Sequence, residues 1–209
     1  WEHGTTRLYK NLQNDFLYTD INKVVIFAEN HDTNRINDFY PDFKNYKQIL
    51  SVLMTLRGIP QIYYGSEIGM TGKKEVGDGD IRRDFPGGWP TDTQQGFSES
   101  DRNPRQKKYF NFSKKLIQWR KKSAAIHFGK TLHYVPREDV YVYFRYTDEE
   151  RVMIVVNNNP EDQQLAMEPY REGIAGKTQA FEVNSASSFT LPQVLEVPAE
   201  TTLIIELSM

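Results

Sequence analysis

The residues with chemistry to offer fall in three short stretches of a 209-residue chain. Asn30-His31-Asp32 follows the apolar run Val24-Val25-Ile26-Phe27-Ala28 and precedes Thr33, Asn34 and Arg35. A β-branched apolar run ending in a polar cluster is how a buried strand delivers side chains to a site at its carboxyl end. The same residue types also stop strands and start turns, so spacing alone leaves both readings open. Glu67 lies in the second stretch, Gly65-Ser66-Glu67-Ile68-Gly69, after the run Gln61-Ile62-Tyr63-Tyr64. If the two runs are neighbouring parallel strands, Asp32 and Glu67 stand side by side, and paired carboxylates are what cleavage of a glycosidic bond requires. In the third stretch, Asp78-Gly79-Asp80-Ile81-Arg82 places a carboxylate and a guanidinium four residues apart. Such a pair sets an acceptor beside a forked donor; a charged surface turn with a local ion pair is the alternative.

The flanking pattern supplies elements to hold these groups. Thr5 and Thr6 suit caps of a short helix with Leu8, Leu12 and Phe16 on one side, and Asp20 to Lys23 reads as a turn. An irregular loop covers 36–44. Ile49, Val52, Leu53 and Leu56 then mark an amphipathic helix that Gly58 and Pro60 end. Strand, helix, strand over residues 24–64 is a βαβ unit, expected parallel and right-handed. The Gly-rich, charged stretch from Gly65 to about Asn103 is long enough to be expected functional. Tyr109, Phe112, Leu116 and Trp119 predict a helix from about Pro104 to Lys122 with an aromatic core stripe. Beyond Gly129 come short strand signals at 141–146, 152–156, 180–183, 194–197 and 203–207, separated by Asn, Asp, Pro and Gly. That spacing predicts an antiparallel β-sandwich. The chain therefore divides near Ser123 into an α/β part, 1–122, and an all-β part, 123–209.

Composition removes several function classes. The net charge is −2 with no basic stripe, so a nucleic-acid partner is not expected. Apolar runs fall far short of the roughly 20 residues of a membrane helix, so no membrane partner is expected either. Without cysteine there is neither a disulfide framework nor a thiolate metal site. His3, His127 and His133 lack ligand spacing, and no Gly-rich phosphate loop follows either strand run. Asn111-Phe112-Ser113 fits a glycosylation sequon but falls inside the predicted core helix. Starting at Trp1 without a signal-peptide pattern, the chain reads as a piece of something longer.

Phe27-Ala28-Glu29-Asn30-His31-Asp32 resembles the F-x-x-N-H-D motif of the α-amylase family of glycoside hydrolases, found at the end of the seventh barrel strand. Tyr63-Tyr64-Gly65-Ser66-Glu67-Ile68-Gly69 resembles its Y-Y-G-x-E-x-G string after the eighth strand, and Asp78 with Arg82 its D-x-x-x-R pattern in the following loop. The matches stand in the family's order and span most of the chain. The resemblance implies that 1–122 is the C-terminal part of a (β/α)8 TIM barrel and 123–209 a C-terminal β-sandwich. It implies a retaining hydrolase acting on starch, pullulan or maltooligosaccharides.

In that reading Asp32 is the third catalytic carboxylate, which stabilises the transition state, and His31 donates to the same sugar hydroxyls. Asp78 and Arg82 bind a glucose unit on the non-reducing side of the cut. Asn30 and Arg35 are further substrate-binding positions; for Arg35 a loop salt bridge is the alternative. Glu67 is implied to be structural. The family's nucleophile and acid come from barrel strands four and five, which this chain lacks, so alone it is expected to be inactive. Arg83-Asp84-Phe85-Pro86-Gly87-Gly88-Trp89 most resembles neopullulanase- or cyclomaltodextrinase-like members of the Bacteroides type. Phe85 and Trp89 either stack on sugars or pin the loop. No cofactor is expected here, since the family's calcium site lies in a part not present. Expected partners are an α-glucan and either the missing N-terminal part of the same enzyme or a second copy. The resemblance favours a periplasmic or extracellular location. The alternative function is a non-enzymatic carbohydrate-binding or interaction module; it needs exposed coplanar aromatics, for which Tyr141, Tyr143 and Tyr146 are the candidates.

Overall fold

The computed structural model describes residues 4–209, so Trp1 and His3 lie outside the described residues. Helix α1 (Thr5–Leu12) is preceded by Gly4, which has no side chain to cap it. Thr5, expected as a cap, is instead the first residue of the helix. Its N–H and hydroxyl both reach Asp139 Oδ1, at 2.8 and 2.6 Å, which ties the helix to the β part. Phe16 falls past the helix, on a short 3-10 turn, and is exposed.

Strands β1 (Val25–Phe27) and β2 (Ile59–Gln61) pair in parallel, Val25 opposite Ile59 and Phe27 opposite Gln61. Between them lie α2 (Ile36–Phe39), inside the stretch expected to be irregular, and α3 (Phe43–Thr55). The second strand begins earlier than the sequence suggests and ends before Tyr63. Tyr63 and Tyr64 curl instead around the Arg35 guanidinium, whose carbon lies 3.9 and 4.8 Å from their ring centres. The buried face of α3 is wider than the predicted stripe. Tyr46, Leu50, Leu53 and Met54 are buried, while Ile49 and Val52 line a shallow hollow with Leu8, Phe27 and Leu56. Helix α4 (Asp78–Ile81) interrupts the long loop. Helix α5 (Pro104–Arg120) starts with a reciprocal capping box between Asn103 and Gln106, with Pro104 in the first turn, where its missing N–H costs nothing. It buries Tyr109 and Leu116 as the stripe predicts.

Ser123 caps α6 (Ala124–Phe128), after which the chain is mostly strand. In order come β3 (Lys130–His133), β4 (Val140–Tyr146), β5 (Arg151–Asn157), β6 (Gln163–Ala166), a helical turn α7 (Arg171–Ile174), β7 (Gln179–Glu182), β8 (Ser187–Thr190), β9 (Val194–Val197) and β10 (Thr201–Ser208). Six of them form an antiparallel sheet in the order β3-β4-β5-β10-β7-β8, and β6 pairs with β9 in a second, two-stranded sheet. Alternation along β4, β5 and β10 splits their side chains between two cores. Tyr141, Tyr143, Ile154 and Ile204 face the helices, meeting Tyr46, Leu50, Leu116 and Ile126. Val142, Phe144, Met153, Val155 and Ile205 face the small sheet, meeting Leu195 and Val197. Burial on both faces explains why these antiparallel strands read as continuous apolar runs.

The tyrosine platform required by the binding-module alternative does not exist. Tyr141 and Tyr143 are fully buried. Their hydroxyls pair with His133 Nδ1 at 2.8 Å and Thr55 Oγ1 at 2.5 Å. Tyr146 lies beneath the Arg151 guanidinium.

Candidate functional site

The polar cluster begins with a residue the motif reading passed over. Glu29, directly after β1 and Ala28, is 2% exposed. It accepts hydrogen bonds from the Ile36 N–H and the Ser66 hydroxyl, and lies 3.6 Å from Arg35 Nη1. Arg35 is itself fully buried, so it lines no cleft; it is the ionic partner of Glu29 and a tie between loops. Its Nε donates to Ile81 O at 3.0 Å and its Nη1 to Tyr64 O at 2.5 Å, while its backbone N–H reaches Gly72 O at 2.9 Å. One side chain thereby joins the loop after β1, the loop after β2 and the end of α4. A guanidinium suits this work because its fork donates in several fixed directions and stays charged when desolvated. The signal in the sequence was a carboxylate at a strand end with an arginine six positions on.

On this base the turn 30–34 is built from its own side chains. Asn30 Oδ1 accepts from the Asp32 N–H at 2.8 Å, an Asx turn that aims Asp32 outward. Thr33 Oγ1 accepts from the Asn30 N–H at 3.0 Å, and Asn34 Oδ1 from the Lys74 N–H at 2.5 Å. Asn30 shapes the turn that presents Asp32. Gly72 is required where the second loop crosses α4, since a Cβ there would sit 2.5 Å from Asp80 O.

Asp32, His31, Asp78 and Arg82 are brought together as the motifs suggest. Arg82 Nη2 lies 2.9 Å from Asp32 Oδ1 and 3.0 Å from Asp78 Oδ2. Arg82 Nε donates to His31 O at 2.9 Å, and His31 Nε2 stands 3.1 Å from Asp32 Oδ2. Lys74, which the sequence reading did not single out, bonds Asp78 and approaches Asp32 at 4.0 Å. The Lys74 hydrogen bond, aided by the charge of Arg82, holds the Asp78 carboxyl below its ordinary value. All five side chains are open to solvent. Ion pairs so exposed contribute little to stability. What the arrangement offers is a fixed set of carboxylate acceptors interleaved with cationic donors, matched to a polyol.

Glu67 sits half-buried on a 3-10 turn, Ser66–Ile68. Burial raises its carboxyl above the ordinary value, against the pull of two backbone hydrogen bonds and Arg35. His133 is likewise internal, its imidazole pushed down by burial. Phe85 is a pin: its ring lies 4.6 Å from that of Phe97. Among the described residues no three His, Asp or Glu side chains gather as a metal site.

Comparison with known proteins follows the same lines. Residues 3–141 match the family model for the alpha amylase catalytic domain, and residues 131–206 that for the cyclo-malto-dextrinase C-terminal domain. A cyclomaltodextrin glucanotransferase of Niallia circulans is 34% identical over 68% of this chain and 17% of its own length. An alpha-amylase of the same organism is 31% identical over 68% of this chain and 24% of its own length. The chain thus spans about a fifth of these relatives. Among solved structures, an Anoxybacillus alpha-amylase superposes with TM-score 0.77 at 21% identity, over 99% of this chain and 43% of that one. The Geobacillus thermoleovorans alpha-amylase complexed with acarbose gives 0.76 at 21% identity, over 97% and 43%. The fold is shared with both of these structures, and with the family model covering most of its length, the chain belongs to the alpha-amylase family.

Proposed function

We propose that the chain is the C-terminal portion of a retaining α-glucan-active enzyme. Residues 1–122 form the last quarter of a (β/α)8 barrel and residues 123–209 its C-terminal β-sandwich. The observation that carries this is the Asp32–Arg82–Asp78 constellation, assembled from two loops at the carboxyl ends of paired parallel strands, where barrel enzymes keep their chemistry. Asp32 stabilises positive charge developing on the cleaved sugar, His31 donates to its hydroxyls, and Asp78 with Arg82 and Lys74 holds the neighbouring glucose. Asn30 and the buried Glu29–Arg35 pair position them. The nucleophile and the acid come from a longer protein that carries this segment.

Within the family, the cyclomaltodextrinase-type C-terminal match and the Arg83–Trp89 string support a neopullulanase- or cyclomaltodextrinase-like member acting on starch, pullulan or maltooligosaccharides. The glucanotransferase relatives keep transfer to a second sugar within the same proposal. The partners are the glucan and the rest of the same enzyme. Calcium, where the family uses it, is assigned to that remaining part. A periplasmic or extracellular location belongs to the proposal on family resemblance alone. The test is the anomeric form of the first product when the longer protein cleaves maltohexaose, followed by NMR. The α-anomer appearing first supports the reading; the β-anomer appearing first contradicts it.

A further inference from the structure

The indole of Trp89 stands out from the surface, 59% exposed, on a loop built to hold it there. Its Nε1–H donates to Asp84 Oδ2 at 2.8 Å. Asp92 Oδ2 accepts from the backbone N–H groups of Gly87 and Trp89, at 2.7 and 3.1 Å. The Gly96 N–H reaches Pro86 O at 2.8 Å and closes the loop at its neck. Beneath the neck, a Cβ on Gly96 would sit 2.6 Å from the Phe85 ring, so only glycine lets the pin seat. The buried Arg102 donates to Gly96 O and Phe97 O, both at 2.8 Å, and fixes the far side.

Phe85 and Trp89 therefore have opposite roles, which the sequence alone left open. Phe85 fastens the loop, and Trp89 is displayed by it. With its one polar atom satisfied, the indole has only its π-face left to offer. That face carries negative quadrupole and attracts polarised C–H groups such as those on the flat side of a hexose ring. Holding the ring in place beforehand reduces the ordering cost of binding. Asp84, which orients the indole, also lines a groove of about 390 Å³ with Thr71, Arg83, Gln94, Arg105 and Gln106. Donors and acceptors for sugar hydroxyls thus begin at the edge of the ring. Asp84 stands two residues after Arg82, in the same loop as the proposed glucose-binding pair.

We propose that Trp89 is a stacking platform for an α-glucan, separate from the Asp32–Arg82 cluster, with hydroxyls of the stacked sugar meeting the groove rimmed by Asp84. The choice of α-glucan rests on the function proposed above. The test uses the 209-residue chain, titrated with maltohexaose and with cellohexaose by calorimetry and by tryptophan emission. The chain carries three tryptophans, Trp1, Trp89 and Trp119, so the part of the emission change that a Trp89 variant loses reports the platform. Maltohexaose is expected to bind in preference to cellohexaose and to shift the emission. Trp89→Ala should weaken binding by about tenfold or more, and Asp84→Ala by less. Circular dichroism and thermal melts establish that each variant is folded; if Trp89→Ala is not, Trp89→Phe decides, with a measurable loss of affinity expected. Unchanged binding by the deciding Trp89 variant overturns the platform, and if Arg82→Ala then abolishes binding the glucan reading survives alone. Equal binding of cellohexaose overturns the α-glucan assignment. Absence of maltohexaose binding by the unsubstituted chain overturns the platform and counts against the glucan reading as well.

Discussion

Arg82 donates through Nη2 to Asp32 Oδ1 at 2.9 Å, across fifty residues of chain and between two separate loops. The contact is solvent-exposed and is not needed to keep the fold. Arg82→Ala should therefore leave the melting temperature nearly unchanged. In a longer, glucan-cleaving protein it should raise KM and alter the product pattern more than it lowers kcat, because it removes binding shared by ground and transition states. Melting curves and steady-state kinetics on maltooligosaccharides check this. A collapse of the fold would place Arg82 among the structural residues instead.

Arg35 should behave in the opposite way. Arg35→Met leaves the Glu29 carboxylate buried beside no cation, and breaking such a pair costs about 3–5 kcal/mol. Arg35→Lys keeps the charge but cannot span both Tyr64 O and Ile81 O, so its loss should be intermediate. Urea unfolding of the two variants gives the order; a methionine variant within about 1 kcal/mol of the parent would contradict the role drawn for the pair.

Glu67 gives a pH signature. Burial holds its carboxyl above the ordinary 4.5, so the folded chain binds this proton more tightly than the unfolded chain does. Its contribution to stability is constant below the unfolded value, falls as pH rises through the window up to the folded value, and is flat above. Glu67→Gln removes the fall. The variant should be more stable than the parent at about pH 7 and indistinguishable from it at about pH 3. Urea midpoints at the two pH values check the sign.

Much of this was legible in the sequence, and the limits have physical causes. The βαβ unit followed from apolar runs and a helical stripe, because those periods are local. The Asp32–Arg82–Asp78 group followed from two short strings that resemble those of a family. The tyrosines of β4 were ambiguous because alternation along a strand cannot say whether the second face is covered. Here both faces are, by helices on one side and a small sheet on the other. The burial of Arg35 was invisible for a related reason. An arginine after a polar turn reads as surface until its acceptors are known, and these are backbone carbonyls at Tyr64 and Ile81, far along the chain. Thr5 reads as a cap by position, yet its partner is Asp139.

Val25, Phe27 and Ile59 are each about half exposed, and Phe16 and Leu17 more so. The β1–β2 pair is a sheet of two strands, which is marginal without further partners. Open strand edges and apolar faces recruit other chains. The 209-residue chain on its own should therefore self-associate, and Phe27→Lys should reduce the association. Light scattering over a range of concentrations measures it; a monomer at every concentration would contradict the expectation.

The central claim is that Asp32 stabilises the transition state of glucan cleavage. It is tested most directly by kcat for maltohexaose in the longer protein, with and without Asp32→Asn. The substitution keeps the shape and removes the charge that matters most as the oxocarbenium ion forms. The account predicts a folded variant with kcat lower by about 10²–10³-fold and KM little altered, and no turnover by the 209-residue chain alone. Turnover by Asp32→Asn close to that of the parent would contradict it.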